Sequence, residues 1–276
     1  MNEIFETLIQ VANATGRPVS EVLRHHFLEA ALRRLSIAGD TGFVLRGSMI
    51  TRLWAAPFPR IANDLDFLGM FPYSASETAH RFFPTLATEA PDCVRFDVPR
   101  CRVAPIWEGS EFPGVRLTLF ADVLGEPHVT TVDVGFGDPL VPGAEWVNYR
   151  FLMGDVAHVW AVHPLTMLAW KLHGLAEWGH VRWRPKDLLD LWLLTNTPIT
   201  DTELLAHAVR VAFESRHYTV AAARETLEDP YWNTFSARAR WNRFRAEQAG
   251  IPIPESVVEV RDTVRSRLAP ALAIFT

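Results

Sequence analysis

An α/β (α+β) fold, with flanking helices on a mixed sheet and then an all-helical half, is the class this sequence predicts. Three observations lead there. Short apolar runs with period-two patterning and Gly or Pro between them fill residues 93–162. Two more short strands, around 43–45 and 64–68, precede them between helical stretches. From Pro164 onward only helical spacing remains.

The elements follow in order. The first forty residues read as helical, and VSEVLRHHFLEAALRRLSIAG starts near Pro18 and Ser20 and stops at Gly39. Phe43-Val44-Leu45 is a short strand, followed by a turn at Gly47-Ser48 and a short helix, MITRLWAA. The loop APFPRIAN leads to a second strand, Asp64-Leu65-Asp66-Phe67-Leu68, and residues 76–90 are helical again. The strand-like runs are CVRFDV, RCRVAPIW, VRLTLFADV, HVTTVDVGFG and a final VNYRFLMGDVAHVWAV. In LTMLAWKLHGLAEW the apolar residues at 165, 168, 169, 172, 175 and 176 share one helix face. PKDLLDLWLL, TDTELLAHAVRVAF, a run around 229–247 and PESVVEVRDTVRSRL are the later helices. The boundary is expected near 163, giving domains 1–163 and 164–276. With no Gly/Ser linker and no internal repeat, the halves are expected to pack closely.

Composition excludes several classes of protein. The chain is 49% apolar and 21% charged over 276 residues, which is not the balance of a disordered protein. No stretch reaches the ~18–20 uninterrupted apolar residues of a membrane span, and the acidic start is unlike a signal peptide. Cys93 and Cys101 form no CxxC pair, so a reduced, cytoplasmic protein is expected. A net charge of −5 argues against a nucleic-acid-binding surface over the whole molecule and leaves room for a local basic patch. Of 27 basic residues only Lys171 and Lys186 are lysines, and they lie in one neighbourhood. A compact ammonium and a planar guanidinium are not interchangeable at a phosphate.

The chemistry starts at Asp64 and Asp66. Two carboxylates at i and i+2 on a strand point to one face and can grip a divalent cation together, with Leu65 turned to the core. Gly47-Ser48, between strand and helix, offers backbone amides and a hydroxyl to a phosphate; Ser48 could equally cap its helix. Asp133, within VTTVDVGFG, is the candidate third carboxylate, because a mid-strand Asp otherwise lacks a purpose. Lys171 lies at the edge of its helix's apolar stripe, as a phosphate contact or as a snorkelling side chain. In WRPKDLLDL, Pro185 suits a first helical turn and Asp187 the positive end of the dipole. Lys186 and Asp190 have the spacing of a helix-surface pair, worth about 0.3–0.5 kcal/mol.

Taken together, FVLRGSMITRLW, NDLDFLG, TVDVGFGDPL and VHPLTMLAWKLHGL…WRPKDLLDLWLL resemble the AbiEii/AbiGii-type toxin nucleotidyltransferases, of the DNA polymerase β-like superfamily. The likeness runs over roughly residues 40–195 in the family's order. It implies a polymerase β-like mixed sheet and a helical C-terminal domain completing the active-site cleft. It implies Mg²⁺ or Mn²⁺ held by Asp64, Asp66 and Asp133. The nucleotide would be contacted by Gly47, Ser48, Arg52, Lys171, Arg184 and Lys186, with Lys171 and Asp187 in the catalytic set. The implied reaction moves an NMP from an NTP to a hydroxyl acceptor, an RNA such as a tRNA 3′ end, within a type IV-like toxin–antitoxin or abortive-infection system with a cognate antitoxin. A protein or small-molecule acceptor, or a weakly catalytic nucleotide binder, are the alternatives. Trp170 stands where the family usually has Glu, and the loop with two prolines before Asp64 is longer than in the shortest members. SARARWNRFR, at 236–245, has four arginines with a Trp and a Phe, a composition suited to RNA or to an ordinary solvated helix.

Overall fold

The computed structural model describes residues 3–54, 62–196, 199, 201–248 and 252–275. The expected loop around Pro57 and Pro59 lies mostly outside them. Two units separate, one of Met1–Ile50, Ile61–Asp138 and Ala144–Ala161, the other of Thr51–Arg60, Pro139–Gly143 and Val162–Thr276. Among the described residues no helix is long and apolar enough to cross a membrane.

The first unit is organised by a mixed sheet. Its strands are β1 (Phe43–Arg46), β2 (Leu65–Gly69), β3 (Val94–Phe96), β4 (Arg102–Ile106), β5 (Gly114–Val123), β6 (Glu126–Phe136), β7 (Glu145–Arg150) and β8 (Val156–Ala161). Their order is β3-β5-β6-β2-β1-β8-β7, with β4 also on β5. The β2–β6 and β1–β8 pairs are parallel and the rest antiparallel. The last extended run of the sequence is therefore a hairpin. Its backbone turns over Phe151–Asp155, where Gly154 has φ +92°, a value that favours glycine.

Strand alternation sorts the sheet's two faces. On one face Val115, Leu117, Leu119, Val132 and Val134 are fully buried. Phe43, Phe67, Phe71 and Phe82 continue this core through edge-to-face contacts, with ring centroids 5.3–5.7 Å apart around Phe43. The α-helices here are α1 (Glu3–Thr15), α2 (Val19–Ala38), the start of α3 (Ser48–Trp54) and α4 (Ala75–Phe82). As expected, α2 ends at Gly39, whose φ is +79°. The expected helix at 76–90 is shorter, because it tightens to a 3-10 turn over Phe83–Ala87 at Pro84, which has no N–H to donate. Apolar and charged residues alike are buried along α2, and each buried charge has a partner. Arg34 makes a bidentate bond to Asp92 at 2.7 and 3.2 Å, and Arg33 pairs closely with Asp155. Glu29 meets His25 and accepts bonds from the Tyr149 hydroxyl and the Leu152 amide.

The second unit is helical: α5 (Pro164–Arg182), α6 (Pro185–Thr195), α7 (Thr202–Glu214), α8 (Ala221–Glu228), α9 (Phe235–Ala246) and α10 (Val257–Leu272). Side chains of His163, Asp201, Thr234 and Ser256 accept from the first-turn amides of α5, α7, α9 and α10. A non-helical Gly179 kinks α5 (φ +54°, ψ −177°). Leu172, Leu188, Phe213, Leu227, Trp241 and Val264 form the core. The short α8, which buries only Ala223 and Leu227, was not apparent from apolar periodicity.

Candidate active site

The site begins where β1 turns into α3. Gly47 has φ +75°, and a Cβ there would lie 2.3 Å from Asp66 Oδ2, so both conformation and space demand glycine. Ser48 is buried and is the first residue of α3. Arg52 follows on the same helix, among the residues assigned to the second unit.

Register then lines up four charges. Arg46 on β1 pairs with Asp66 on β2, Asp66 with Asp133 on β6, and Asp133 with Arg116 on β5. Directly opposed residues share a face, so an Arg–Asp–Asp–Arg row crosses four strands on the side away from the aliphatic core. Asp133 is 7% exposed and accepts from Arg116 Nε and Nη2, both at 2.7 Å. The guanidinium of Arg116 is held above its ordinary pKa, first by that hydrogen bond and then by the charges of Asp133, Asp64 and Asp66, against some desolvation. Asp64 therefore shares the electrostatic neighbourhood, though it lies in the bend just before β2 and not on the strand as expected. At the other end, Arg46 reaches Asp138 at 2.7 Å by passing over Gly135. A Cβ at Gly135 would sit 2.5 Å from Arg46 Nη2.

All-oxygen donors suit a hard divalent cation in type. Among the described residues, no three His, Cys, Asp or Glu side chains are gathered tightly enough to hold one. The arrangement shows what stands in the way, because Arg116 engages both oxygens of Asp133. The donor set fits the metal in the chemistry of its oxygens, and in this structure Arg116 takes the cation's role at Asp133.

A second charged cluster lies within the helical unit. Lys171 on α5 places Nζ 2.8 Å from Asp187 Oδ1 and 2.8 Å from Asp190 Oδ2, and Asp187 Oδ2 also meets Arg184 Nε at 2.7 Å. Asp187 and Asp190 are 2% and 0% exposed. Lys171 is thus neither snorkelling nor at a bare helix edge; it ties α5 to α6. Asp190, expected at the helix surface near Lys186, is instead wholly buried and meets Lys171 across from α5. Arg184 precedes α6 and lies over the Trp178 ring at 5.2 Å. Lys186 borders a shallow groove with Trp183, Arg240 and Phe244. Trp170 is half-buried on α5, beside Lys171.

The arginine-rich stretch at 236–245 serves structure more than contact. Trp241 is fully buried and donates to the Pro254 carbonyl, while Arg240 donates to the carbonyls of Trp183 and Val181. No base can stack on Trp241. Three residues of the two clusters were given no role by sequence reading, Arg46, Arg116 and Asp138, and Asp190 was read only as a surface partner of Lys186. Parity within VRLTLF marks Arg116 as lying on the polar face, but only cross-strand register shows which acid it meets.

A mixed sheet with a Gly-Ser turn packed against one aspartate and a second aspartate in register beside it defines the class: this is a nucleotidyltransferase. The family model described as nucleotidyl transferase AbiEii toxin, type IV TA system, matches residues 30–263, and the chain belongs to that family. Two solved structures from Helicobacter pylori are similar. A candidate nucleotidyltransferase shares 13% identity, with 91% of this chain and 93% of that chain covered at a TM-score of 0.46. The structure of JHP933 shares 13% identity, with 92% of this chain and 91% of that chain covered at a TM-score of 0.48. No curated protein matches the sequence.

Proposed function

We propose that this toxin-family enzyme transfers an NMP from an NTP to the 3′ hydroxyl of an RNA, a tRNA end among them, as a cytoplasmic reaction countered by a cognate antitoxin. A phosphodiester bond forms between the acceptor hydroxyl oxygen and the α-phosphorus, the α–β phosphoanhydride bond breaks, and pyrophosphate and the hydroxyl proton leave. The observation that carries this reading is the in-register row Arg46–Asp66–Asp133–Arg116, with Gly47 packed against Asp66. Asp64, Asp66 and Asp133 are the residues to hold Mg²⁺ or Mn²⁺, which when bound would stabilise charge on the phosphoryl oxygens. Gly47, Ser48 and Arg52 are assigned to the nucleotide phosphates. Lys171, Arg184 and Lys186 are assigned to the nucleotide as well, with Lys171 and Asp187 in the catalytic set.

The direct test supplies purified protein with each labelled NTP, Mg²⁺ and total RNA. Label on RNA is expected, and it should vanish with chelator. Label on protein or on a small molecule would replace the acceptor, and tight NTP binding without turnover would make the chain a nucleotide binder.

Arg116 gives a separate prediction. Because it occupies both oxygens of Asp133, Arg116→Ala should raise Mn²⁺ affinity of the nucleotide-free protein, by about tenfold for about 1.4 kcal/mol of lost competition. Electron paramagnetic resonance of free Mn²⁺ reads this without any turnover. A fall in affinity would show that Arg116 orients Asp133 for the metal and does not compete with it.

A further inference from the structure

The charged row is one edge of a longer open surface. On β5, Arg116, Thr118, Phe120 and Asp122 alternate with buried aliphatic residues and so share one face. Register adds the neighbours: Thr131 and Arg102 flank Thr118, Val129 faces Phe120, and Arg95 faces Asp122. From Arg116 to Phe120 this strip runs about 13 Å along the strand, at about 3.3 Å per residue.

Its chemistry is unusual for the solvent side of a sheet. The Arg100 guanidinium lies over the Phe120 ring at 4.6 Å and that of Arg102 at 5.8 Å. Phe120 is half-buried, Val129 is 59% exposed and the Arg100 side chain 65% exposed. Asp97 sits 3.8 Å from Arg100, and Asp122 stands opposite Arg95. Among the described residues Arg102 is engaged in no ion pair, so positive charge remains beside the aromatic ring. Arg95, Arg100 and Arg116 each lie beside an aspartate (Asp122, Asp97 and Asp133), so the positive charge in excess along this strip is that of Arg102.

We propose that this β4–β5–β6 face is the track for a single-stranded RNA acceptor. Arg100 and Arg102 contact backbone phosphates, Phe120 stacks a base, and the 3′ end reaches Asp66 and Asp133. The proposal rests on the reading of RNA as acceptor and names the surface that reading needs. Guanidiniums interleaved with an aromatic on an open sheet suit unpaired nucleotides, whose phosphates and π faces are exposed together. A duplex keeps its bases stacked and has nothing to place on Phe120.

The test uses the full chain and a fluorescein-labelled oligouridylate, followed by anisotropy over a salt series, with a transfer assay from labelled NTP alongside. The Arg100→Ala/Arg102→Ala double variant should lose about tenfold or more in affinity and lower the salt slope by about 1.4, at about 0.7 per phosphate contact on a single strand. Phe120→Ala should weaken binding by about five- to a hundredfold, and Phe120→Trp should restore it. Arg243→Ala, on exposed α9, should bind as the parent does. All these side chains are at least partly exposed, and unchanged melting curves would verify that the variants are folded. Wild-type affinity in the double variant, or a parent that binds no oligouridylate, overturns the proposal. If the double variant still labels RNA at the parent's rate, the track is wrong and the acceptor reading stands. If label goes elsewhere while oligouridylate binding still depends on Arg100, Arg102 and Phe120, the acceptor reading falls and the surface stands.

Discussion

Asp66→Asn should abolish nucleotide transfer, by about a thousandfold or more. Several kcal/mol of transition-state charge stabilisation rest on the metal that Asp66 is proposed to hold, and about 1.4 kcal/mol corresponds to a factor of ten. Asp66 is flanked in register by Arg46 and by a second carboxylate, Asp133. The amide keeps the shape that Gly47 packs against and removes the charge. Stability should change little, because the repulsion from Asp133 that is relieved is set against the attraction to Arg46 and Arg116 that is lost. Label transfer and a melting curve on the same preparation check both halves. An active Asp66→Asn protein would place the chemistry elsewhere in the chain.

Lys171→Met should be the most destabilising single change in the helical unit. It would remove the cation that Asp187 and Asp190, both almost wholly buried, share, and leave Asp187 only its contact with Arg184 among the ion pairs described above. Removing one partner of a buried ion cluster costs about 3–5 kcal/mol, because the remaining charges stay desolvated. Adding Asp190→Leu should recover a good part of that loss, a coupling that only residues in direct contact show. Denaturant titration of the single and double variants measures it. The double variant then serves to test the nucleotide role: if Lys171 also contacts phosphate, KM for NTP should stay high although stability returns. Recovery of both would make Lys171 a clamp between α5 and α6 and nothing more.

Much of the fold can be read from the chain because its signals are local. Gly39 ends α2 by adopting a backbone that other residues resist, and Gly47 marks the turn into α3 for the same reason. Strand parity was enough to send Asp66 and Asp133 away from the core, as it does for alternate residues of β5. What was not legible is register, which depends on residues far apart. Nothing near Arg46 or Arg116 in sequence says that each faces an aspartate of another strand. Burial sets a similar limit in the helices. Asp190 lies four residues from Lys186 in sequence, and only the packing of α5 shows that it is buried and meets Lys171. The composition of 236–245 suggested an RNA contact, yet the burial of Trp241 directs that helix inward, and the open aromatic surface lies on the sheet instead.

The arginines at the ends of the charged row bear on when the metal matters. Asp64, Asp66, Asp133 and Asp138 carry four negative charges in one neighbourhood, and Arg46 and Arg116 return two of them. The sheet can therefore form with half of its acidic charge already offset, and what remains equals the charge of one divalent ion. On the proposed metal role, assembly of the protein and loading of the ion would then be separate events: the first would need only the chain, and the second would set when the folded protein becomes active.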